Sequence, residues 1–159
     1  MIEPVKALTF ICKAKGLKVL VDGAHAPGVL DIDVKDIGAD YYTGNCHKWL
    51  FAPKGTAFLW VSPELQSSNC PQPTVISSSG KHDYLGRFEY TGTRDYTAFA
   101  ALPKALSFVD ARLGGLNNMV RYNRALLRDG CDLLIKKWNT SYLVRTMYVL
   151  MYFTNMSSL

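Results

Sequence analysis

The sequence predicts an α/β fold in which helices pack against a sheet through short connections. An opening helix in residues 4–15 is followed, in residues 17–61, by the order strand, helix, strand, strand. Two long helical segments fill the second half of the chain. The chain has 159 residues, of which 48% are apolar and 19% charged. It is therefore long enough for one domain with a core of its own.

Two helices are predicted in the first part of the chain. Residues 4–15 show the periodicity of an amphipathic helix. Glycine adopts the left-handed conformation that ends many helices, so Gly16 would end this one. Residues 33–38 are predicted to form a short helix that ends at Gly38.

Three apolar segments are predicted to be strands: residues 17–22, 40–43 and 56–61. Only Lys18 interrupts the apolar run of the first segment, which therefore predicts a buried strand. Proline and glycine at residues 26–28 and 53–55 indicate turns between these elements.

The second half begins with a long loop. Residues 66–86 are rich in Ser, Pro, Asn and Gly, and long loops in compact domains tend to be functional or mobile. Residues 95–113 are predicted to form a helix with a possible kink at Pro103. Two glycines interrupt the pattern, and residues 116–137 are predicted to form a second long helix.

A lysine with an unusual setting follows the second strand, in residues 44–49 (Gly-Asn-Cys-His-Lys-Trp). A Schiff base forms only from a neutral amine, so a lysine that makes one must be desolvated or lie near positive charge. Lys48 lies between His47 and the apolar residues 49–51, which suits such a setting. Taken alone, a lysine is far more often a solvated surface charge, and a histidine in a loop is more often a structural hydrogen-bonding group.

An aspartate follows the first strand. Asp22 begins the segment Asp-Gly-Ala-His-Ala-Pro-Gly, residues 22–28. A strand delivers such a carboxylate to its carboxyl end, where open α/β sheets bind their ligands. A carboxylate beside a heterocyclic nitrogen keeps that nitrogen protonated. The alternative is that Asp22 caps a turn or helix, which is the usual role of an aspartate after a strand.

A third motif, Tyr-Thr-Gly-Thr-Arg-Asp, occupies residues 90–95. Glycine permits close backbone approach, and a threonine hydroxyl with adjacent N–H groups can bind a phosphate. The alternative is a helix cap, in which Thr93 or Asp95 would begin the helix that follows.

Together, these three motifs resemble the class V aminotransferase family, whose members use pyridoxal 5'-phosphate (PLP). The closest resemblance is to the isopenicillin N epimerase-like and cysteine desulfhydrase-like branch, whose form Gly-Asn-x-His-Lys-Trp is matched by residues 44–49. The resemblance covers roughly residues 3–138. It implies part of the large PLP-binding domain of a fold type I transferase, a three-layer α/β/α structure, in residues 1–138, followed by a divergent C-terminal tail in residues 139–159.

The resemblance also implies a role for each matching residue. Lys48 would hold the cofactor as a Schiff base and later move the α proton of the substrate. Asp22 would bind the pyridine nitrogen, and His25 would approach the phenolic oxygen. His47 would contact the phosphate of its own subunit, whereas Thr93 would reach the phosphate of the neighbouring subunit in a dimer.

Complete members of this family are longer, so we expect the chain to be a fragment or a truncated copy that lacks the small C-terminal domain. The implied function is PLP-dependent chemistry at the α carbon of a small amino acid, with cysteine desulfhydration as the first choice and epimerisation as the second. A third possibility is a non-catalytic paralogue that pairs with a full-length relative. The expected assembly is a homodimer or such a heterodimer.

Composition argues against several other classes of function. The net charge is +5, but the basic residues are scattered, so no nucleic-acid partner is expected. The four cysteines form no C-x-x-C pair, and no spacing indicates zinc, so no metal is expected. Cys46 is predicted to be a small packed thiol. No segment suits a membrane span, and free cysteines without a signal peptide predict the cytoplasm, with organelle targeting left open by the truncated N-terminus.

Overall fold

The computed structural model describes residues 4–68, 71–78 and 83–142. Short strands and helices alternate in the first half, and two long helices follow. The helices are α1 Val5–Ala14, α2 Val34–Ile37, α3 Cys46–Trp49, α4 Pro63–Ser67, α5 Thr97–Leu113 and α6 Leu116–Trp138, with one 3₁₀ turn at Gly86–Phe88. The strands are β1 Leu20–Asp22, β2 Tyr41–Asn45 and β3 Ala57–Val61.

The three strands form one mixed sheet in the order β1-β2-β3. β1 and β2 run parallel, with Asp22 opposite Thr43, whereas β2 and β3 run antiparallel, with Thr43 opposite Leu59. The helical crossover between β1 and β2 is the connection that parallel strands require. Because these two strands are parallel, their carboxyl ends lie at the same edge of the sheet.

The prediction that the first strand is buried is wrong. Leu20 is 60% exposed and Leu59 is 49% exposed. The strand pairing places Leu20 and Leu59 on the same face of the sheet as Asp22 and Thr43. Tyr42 lies on the opposite face and is buried. An apolar run predicts a strand correctly, but it does not reveal whether another layer covers both faces of that strand.

Capping residues explain where the shorter helices begin and end. The side chain of Asp33 accepts hydrogen bonds from the N–H groups of Lys35 and Asp36, and Gly38 ends α2 in the left-handed conformation. Both long helices are confirmed to within two residues, and Gly114 and Gly115 separate them as predicted.

Two short helices were not predicted. α3 follows the second strand, and α4 includes Gln66 and Ser67, so the predicted loop starts two residues too early. Neither helix is longer than five residues, which is too short to show the apolar periodicity that reveals a helix in a sequence. Residues 143–159, most of the predicted tail, lie outside the described residues.

The core lies where α3 meets α5. Cys46, Leu50 and Ala52 are buried together, and the α5 residues Leu102 and Ala105 pack against them. Burial raises the pKa of the Cys46 thiol, which therefore stays protonated. This confirms Cys46 as a small packed thiol and shows that the helix carrying Lys48 is anchored by apolar contacts.

A buried carboxylate connects α1, β1 and β2. Asp40 is 3% exposed and accepts a hydrogen bond of 2.8 Å from the Val19 N–H. Its carboxylate also lies 3.2 Å from the Lys18 ammonium and 3.7 Å from that of Lys13. Burial alone raises the pKa of Asp40, but the Val19 hydrogen bond and the two lysines outweigh it, so the net pKa is lowered.

Among the helices of the described residues, none combines the length and the apolar character needed to cross a membrane.

Candidate functional site

The parallel pairing of β1 and β2 brings the two main motifs to one edge of the sheet. Asp22 is the last residue of β1, and the N–H of Gly23 donates a hydrogen bond of 2.9 Å to the carbonyl of Thr43. β2 continues to Asn45 and passes directly into α3, which carries His47 and Lys48. The carboxyl ends of parallel strands are where open α/β sheets bind ligands, so the predicted edge is formed.

Asp22 is exposed at this edge and held by the turn that comes after it. Its Oδ1 accepts a hydrogen bond of 3.0 Å from the Ala24 N–H, which is the turn contact that an aspartate after a strand often makes. The carboxylate has further acceptor capacity for a protonated ring nitrogen. Burial raises the pKa of Tyr42, and the negative charge of Asp22 raises it further.

Lys48 is exposed on α3. Its neighbours in sequence do not cover it, since Trp49 is 49% exposed and Phe51 is 58% exposed. The desolvated setting that the apolar neighbours suggested is therefore not formed by the described residues. The reason is that α3 packs against the core through the face that carries Cys46, so that Lys48 and Trp49 are exposed to solvent.

His47 is fixed by the chain that leads into β3. Its Nδ1 lies 2.9 Å from the carbonyl oxygen of Thr56, and the N–H groups of Cys46 and His47 donate to the same oxygen at 3.0 and 3.2 Å. Thr56 is fully buried. Sequence reasoning missed Thr56, because a threonine at the start of a strand carries no signal that distinguishes it from any other β-forming residue.

The loop that carries His25 approaches α3 closely. His25 itself is exposed in the turn where the Ala26 N–H donates to the Gly23 carbonyl at 2.9 Å. Three residues later, Gly28 has a φ of 85°, and a Cβ there would lie 2.7 Å from the carbonyl oxygen of Trp49. Only glycine allows this backbone path, which places the His25 loop against the helix of Lys48.

Thr93 lies apart, in the segment before α5. It is exposed, and its Oγ1 is 3.3 Å from the hydroxyl of Tyr90. The N-cap of α5 is Tyr96, so neither Thr93 nor Asp95 begins the helix. Asp95 Oδ1 accepts from the hydroxyl and the N–H of Thr97 at 2.6 and 2.8 Å, and both bonds lower the pKa of Asp95. The role of Thr93 at a neighbouring subunit stays a prediction.

A cavity of about 210 Å³ lies on the face of the sheet that carries Tyr42. Its walls are mostly apolar and include Tyr42, Phe58 and Val120, together with Pro27 and Gly28 of the segment 22–28. The cavity therefore adjoins the edge that the motifs form, although Asp22, His25, His47 and Lys48 do not line it. Within residues 4–68, 71–78 and 83–142, no three His, Cys, Asp or Glu side chains gather as a metal site.

The side chains at the sheet edge fit the chemical groups of PLP. The carboxylate of Asp22 suits a protonated ring nitrogen, and the primary amine of Lys48 suits an aldehyde. The imidazoles of His25 and His47 can each contact an oxygen. All four residues lie in or next to segments that the β1–β2 pairing and the Gly28 contact hold together.

Comparison with known proteins identifies the family. The family model described as aminotransferase class-V matches residues 1–144. A protein of Arabidopsis thaliana named "Probable L-cysteine desulfhydrase, chloroplastic" is 36% identical over 143 residues, which are 88% of this chain and 30% of that protein. An isopenicillin N epimerase of Streptomyces clavuligerus is 38% identical over 128 residues, 72% of this chain and 32% of the epimerase. The chain thus spans about a third of the length of these relatives.

The fold is shared with solved structures. The apo cysteine desulfurase of Thermococcus onnurineus NA1 superposes with a TM-score of 0.69 at 23% identity, covering 84% of this chain and 34% of that one. A cysteine desulfurase of Escherichia coli gives a TM-score of 0.67 at 21% identity, covering 86% of this chain and 35% of that one. These similarities confirm the predicted α/β fold of the fold type I transferases.

Proposed function

The chain belongs to the class V aminotransferase family, and we propose that it forms the cofactor edge of a PLP-dependent enzyme that acts on a small amino acid. The proposed reaction is desulfhydration, in which cysteine and water give pyruvate, ammonia and hydrogen sulfide. The observation that carries the proposal is the β1–β2 pairing, which delivers Asp22 and the His47-Lys48 pair to one sheet edge.

The proposal gives each residue of this edge a defined role. PLP, when bound, supplies an electron sink that stabilises negative charge at the α carbon of an amino acid. Asp22 holds a proton on the ring nitrogen through its carboxylate. Lys48 would hold the cofactor through its Nζ, and once the amine of the substrate had displaced that link, the free Nζ would move the α proton of the substrate. His25 contacts the phenolic oxygen, and His47 contacts the phosphate.

Epimerisation of an amino acid is the second candidate, favoured by the 38% identity to an isopenicillin N epimerase. Both reactions begin when Lys48 removes the α proton, so the described residues serve either one. The two reactions differ after that step, because desulfhydration releases sulfide, whereas epimerisation returns a proton to the opposite face. Sulfide release from cysteine, measured against racemisation of an amino acid that lacks a leaving group, distinguishes the two.

A second subunit is part of the proposal. Thr93 would reach the cofactor phosphate of a neighbouring subunit in a homodimer or in a heterodimer with a full-length relative. Its exposed position before α5 supports this role. The heterodimer also accommodates a non-catalytic paralogue, in which the chain lends Thr93 without binding PLP. The cytoplasm remains the proposed compartment.

The test is a PLP titration of the purified chain, followed by visible absorbance, borohydride reduction and peptide mapping. We expect a pyridoxyl group on Lys48 and none in Lys48→Arg, which keeps the positive charge but cannot form the same link. Lys54→Arg is the matched control, because Lys54 is also an exposed lysine, six positions further along the chain. Equal labelling of Lys48 and Lys54 would show surface modification only and would contradict the proposal.

A further inference from the structure

One carbonyl oxygen attaches the helix of Lys48 to the sheet. The oxygen of Thr56 accepts hydrogen bonds from the N–H groups of Cys46 and His47 and from Nδ1 of His47, at 3.0, 3.2 and 2.9 Å. Because a carbonyl oxygen can only accept, Nδ1 of His47 carries the proton in this contact. A neutral imidazole has a single ring proton, so Nε2 of His47 then carries a lone pair.

The side chain of Thr56 holds that carbonyl in place. Thr56 is 0% exposed, and its Oγ1 lies 2.8 Å from the carbonyl of Pro53 and 3.3 Å from that of Ala98. Pro53 belongs to the turn before β3, and Ala98 belongs to the first turn of α5. The Thr56 hydroxyl therefore links two elements, and its backbone carbonyl is directed at α3 from a fixed position.

We infer that Thr56 is a positioning residue that holds the imidazole of His47 in its Nδ1–H form and reserves Nε2 for the group that binds at this edge. The inference rests on the proposed function only in identifying that group as the cofactor phosphate. While the ring is neutral, Nε2 accepts hydrogen bonds. Nε2 can donate a hydrogen bond to an anionic oxygen only when it carries a proton as well as Nδ1.

Nitrogen NMR of the histidine rings tests the assignment without any cofactor. The chain has three histidines, so His47→Gln identifies the signals of His47 among them. In the neutral ring, we expect the nitrogen chemical shift of Nδ1 to be that of a protonated nitrogen and that of Nε2 to be that of a nitrogen with a lone pair. The hydrogen bond should raise the ratio of the Nδ1–H form to the other neutral form by about five-fold over that of a free histidine, the factor that one net hydrogen bond supplies.

Two substitutions of Thr56 distinguish an effect on the His47 imidazole from a general loss of stability. Thr56→Val removes the hydroxyl and should lower the ratio of the two neutral forms at least about two-fold, since the lost hydrogen bonds no longer fix the carbonyl. Thr56→Ser keeps the hydroxyl and should restore the original ratio. Val109→Ala is the control: Val109 is 1% exposed on α5, and its truncation destabilises the fold without touching His47.

The outcomes are distinct. A predominant Nε2–H form in the unmodified chain overturns the inference, whatever Lys48 binds. An unchanged ratio in Thr56→Val, with a loss of stability like that of Val109→Ala, overturns the positioning role. The Nδ1–H form without any pyridoxyl group on Lys48 supports the inference and contradicts the proposed cofactor.

Discussion

The contact between Gly28 and the helix of Lys48 gives a sharp prediction, because the chain provides a matched control. Gly28 and Gly55 have nearly the same positive φ, 85° and 89°. A Cβ at Gly28 would lie 2.7 Å from the carbonyl oxygen of Trp49, whereas a Cβ at Gly55 would meet nothing within 4 Å. Alanine is strained by the positive φ at both positions, and only Gly28→Ala adds a collision with α3.

The structure sets the size of each effect. A left-handed conformation costs a non-glycine residue about 1–2 kcal/mol, which is the loss in the free energy of unfolding expected for Gly55→Ala. Gly28→Ala adds an overpacking cost of about 1–3 kcal/mol, because the opposing atom is backbone and cannot rotate away. The free energy of unfolding of Gly28→Ala should thus lie at least about 1 kcal/mol below that of Gly55→Ala.

Urea unfolding followed by circular dichroism measures both variants on one scale. If both substitutions lower the free energy of unfolding equally, the loop that carries His25 does not contact α3 closely, and the predicted collision is refuted. A second measurement connects this contact to function. Gly28→Ala should weaken pyridoxyl labelling of Lys48, and Gly55→Ala should not, because only the first displaces the helix that carries the lysine.

Other contacts lead to three further predictions. Asp40→Ala should lower the free energy of unfolding by about 1–3 kcal/mol at neutral pH, because it removes the charged acceptor of the part-buried Val19 N–H; Asp40→Asn should cost less. Folding lowers the pKa of the Asp40 carboxyl. The stabilisation is therefore present above the unfolded pKa of about 3.9 and is lost as the pH falls through the lower pKa of the folded state. Urea unfolding at neutral pH and at a pH below the unfolded pKa measures this loss. Asp22→Asn should preserve the turn contact with Ala24, since an amide oxygen also accepts, yet alter the absorbance of bound PLP; an unchanged spectrum contradicts its pyridinium role. Thr93→Ala should weaken PLP binding only in an assembled dimer, measured by titration above and below the dissociation concentration, and an equal effect in the monomer would place Thr93 within its own subunit.

The sequence predicted those parts of the fold that depend on local chemistry. Gly38 and the pair Gly114-Gly115 mark helix ends by their backbone freedom, and the order of apolar segments predicted the sheet. Asp22 could be assigned to the carboxyl end of the first strand, whereas its association with Lys48 in one site came from the family resemblance. These features are visible in a sequence since each depends on a few neighbouring residues.

The features that could not be predicted depend on which elements meet in space. The exposure of Leu20 is decided by the layer that covers its face of the sheet, and a strand pattern does not contain that information. The role of Thr56 is another example. Its hydroxyl joins the turn at Pro53 to Ala98, 42 positions further along the chain, and its carbonyl fixes His47. No local pattern marks a threonine with these partners.

The exposure of Lys48 bears on how the proposed reaction can proceed. A Schiff base requires a neutral amine, which proteins favour by burial or by nearby positive charge. The described residues leave Lys48 and Asp22 exposed, so burial of this edge has to come from another element or another subunit. A full-length relative that pairs through the Thr93 side would provide such a cover. We therefore expect pyridoxyl labelling of Lys48 to increase when the chain is mixed with such a relative, and the increase to disappear when Thr93→Ala is used. Equal labelling with and without the relative would show that the edge binds PLP without a cover from another subunit.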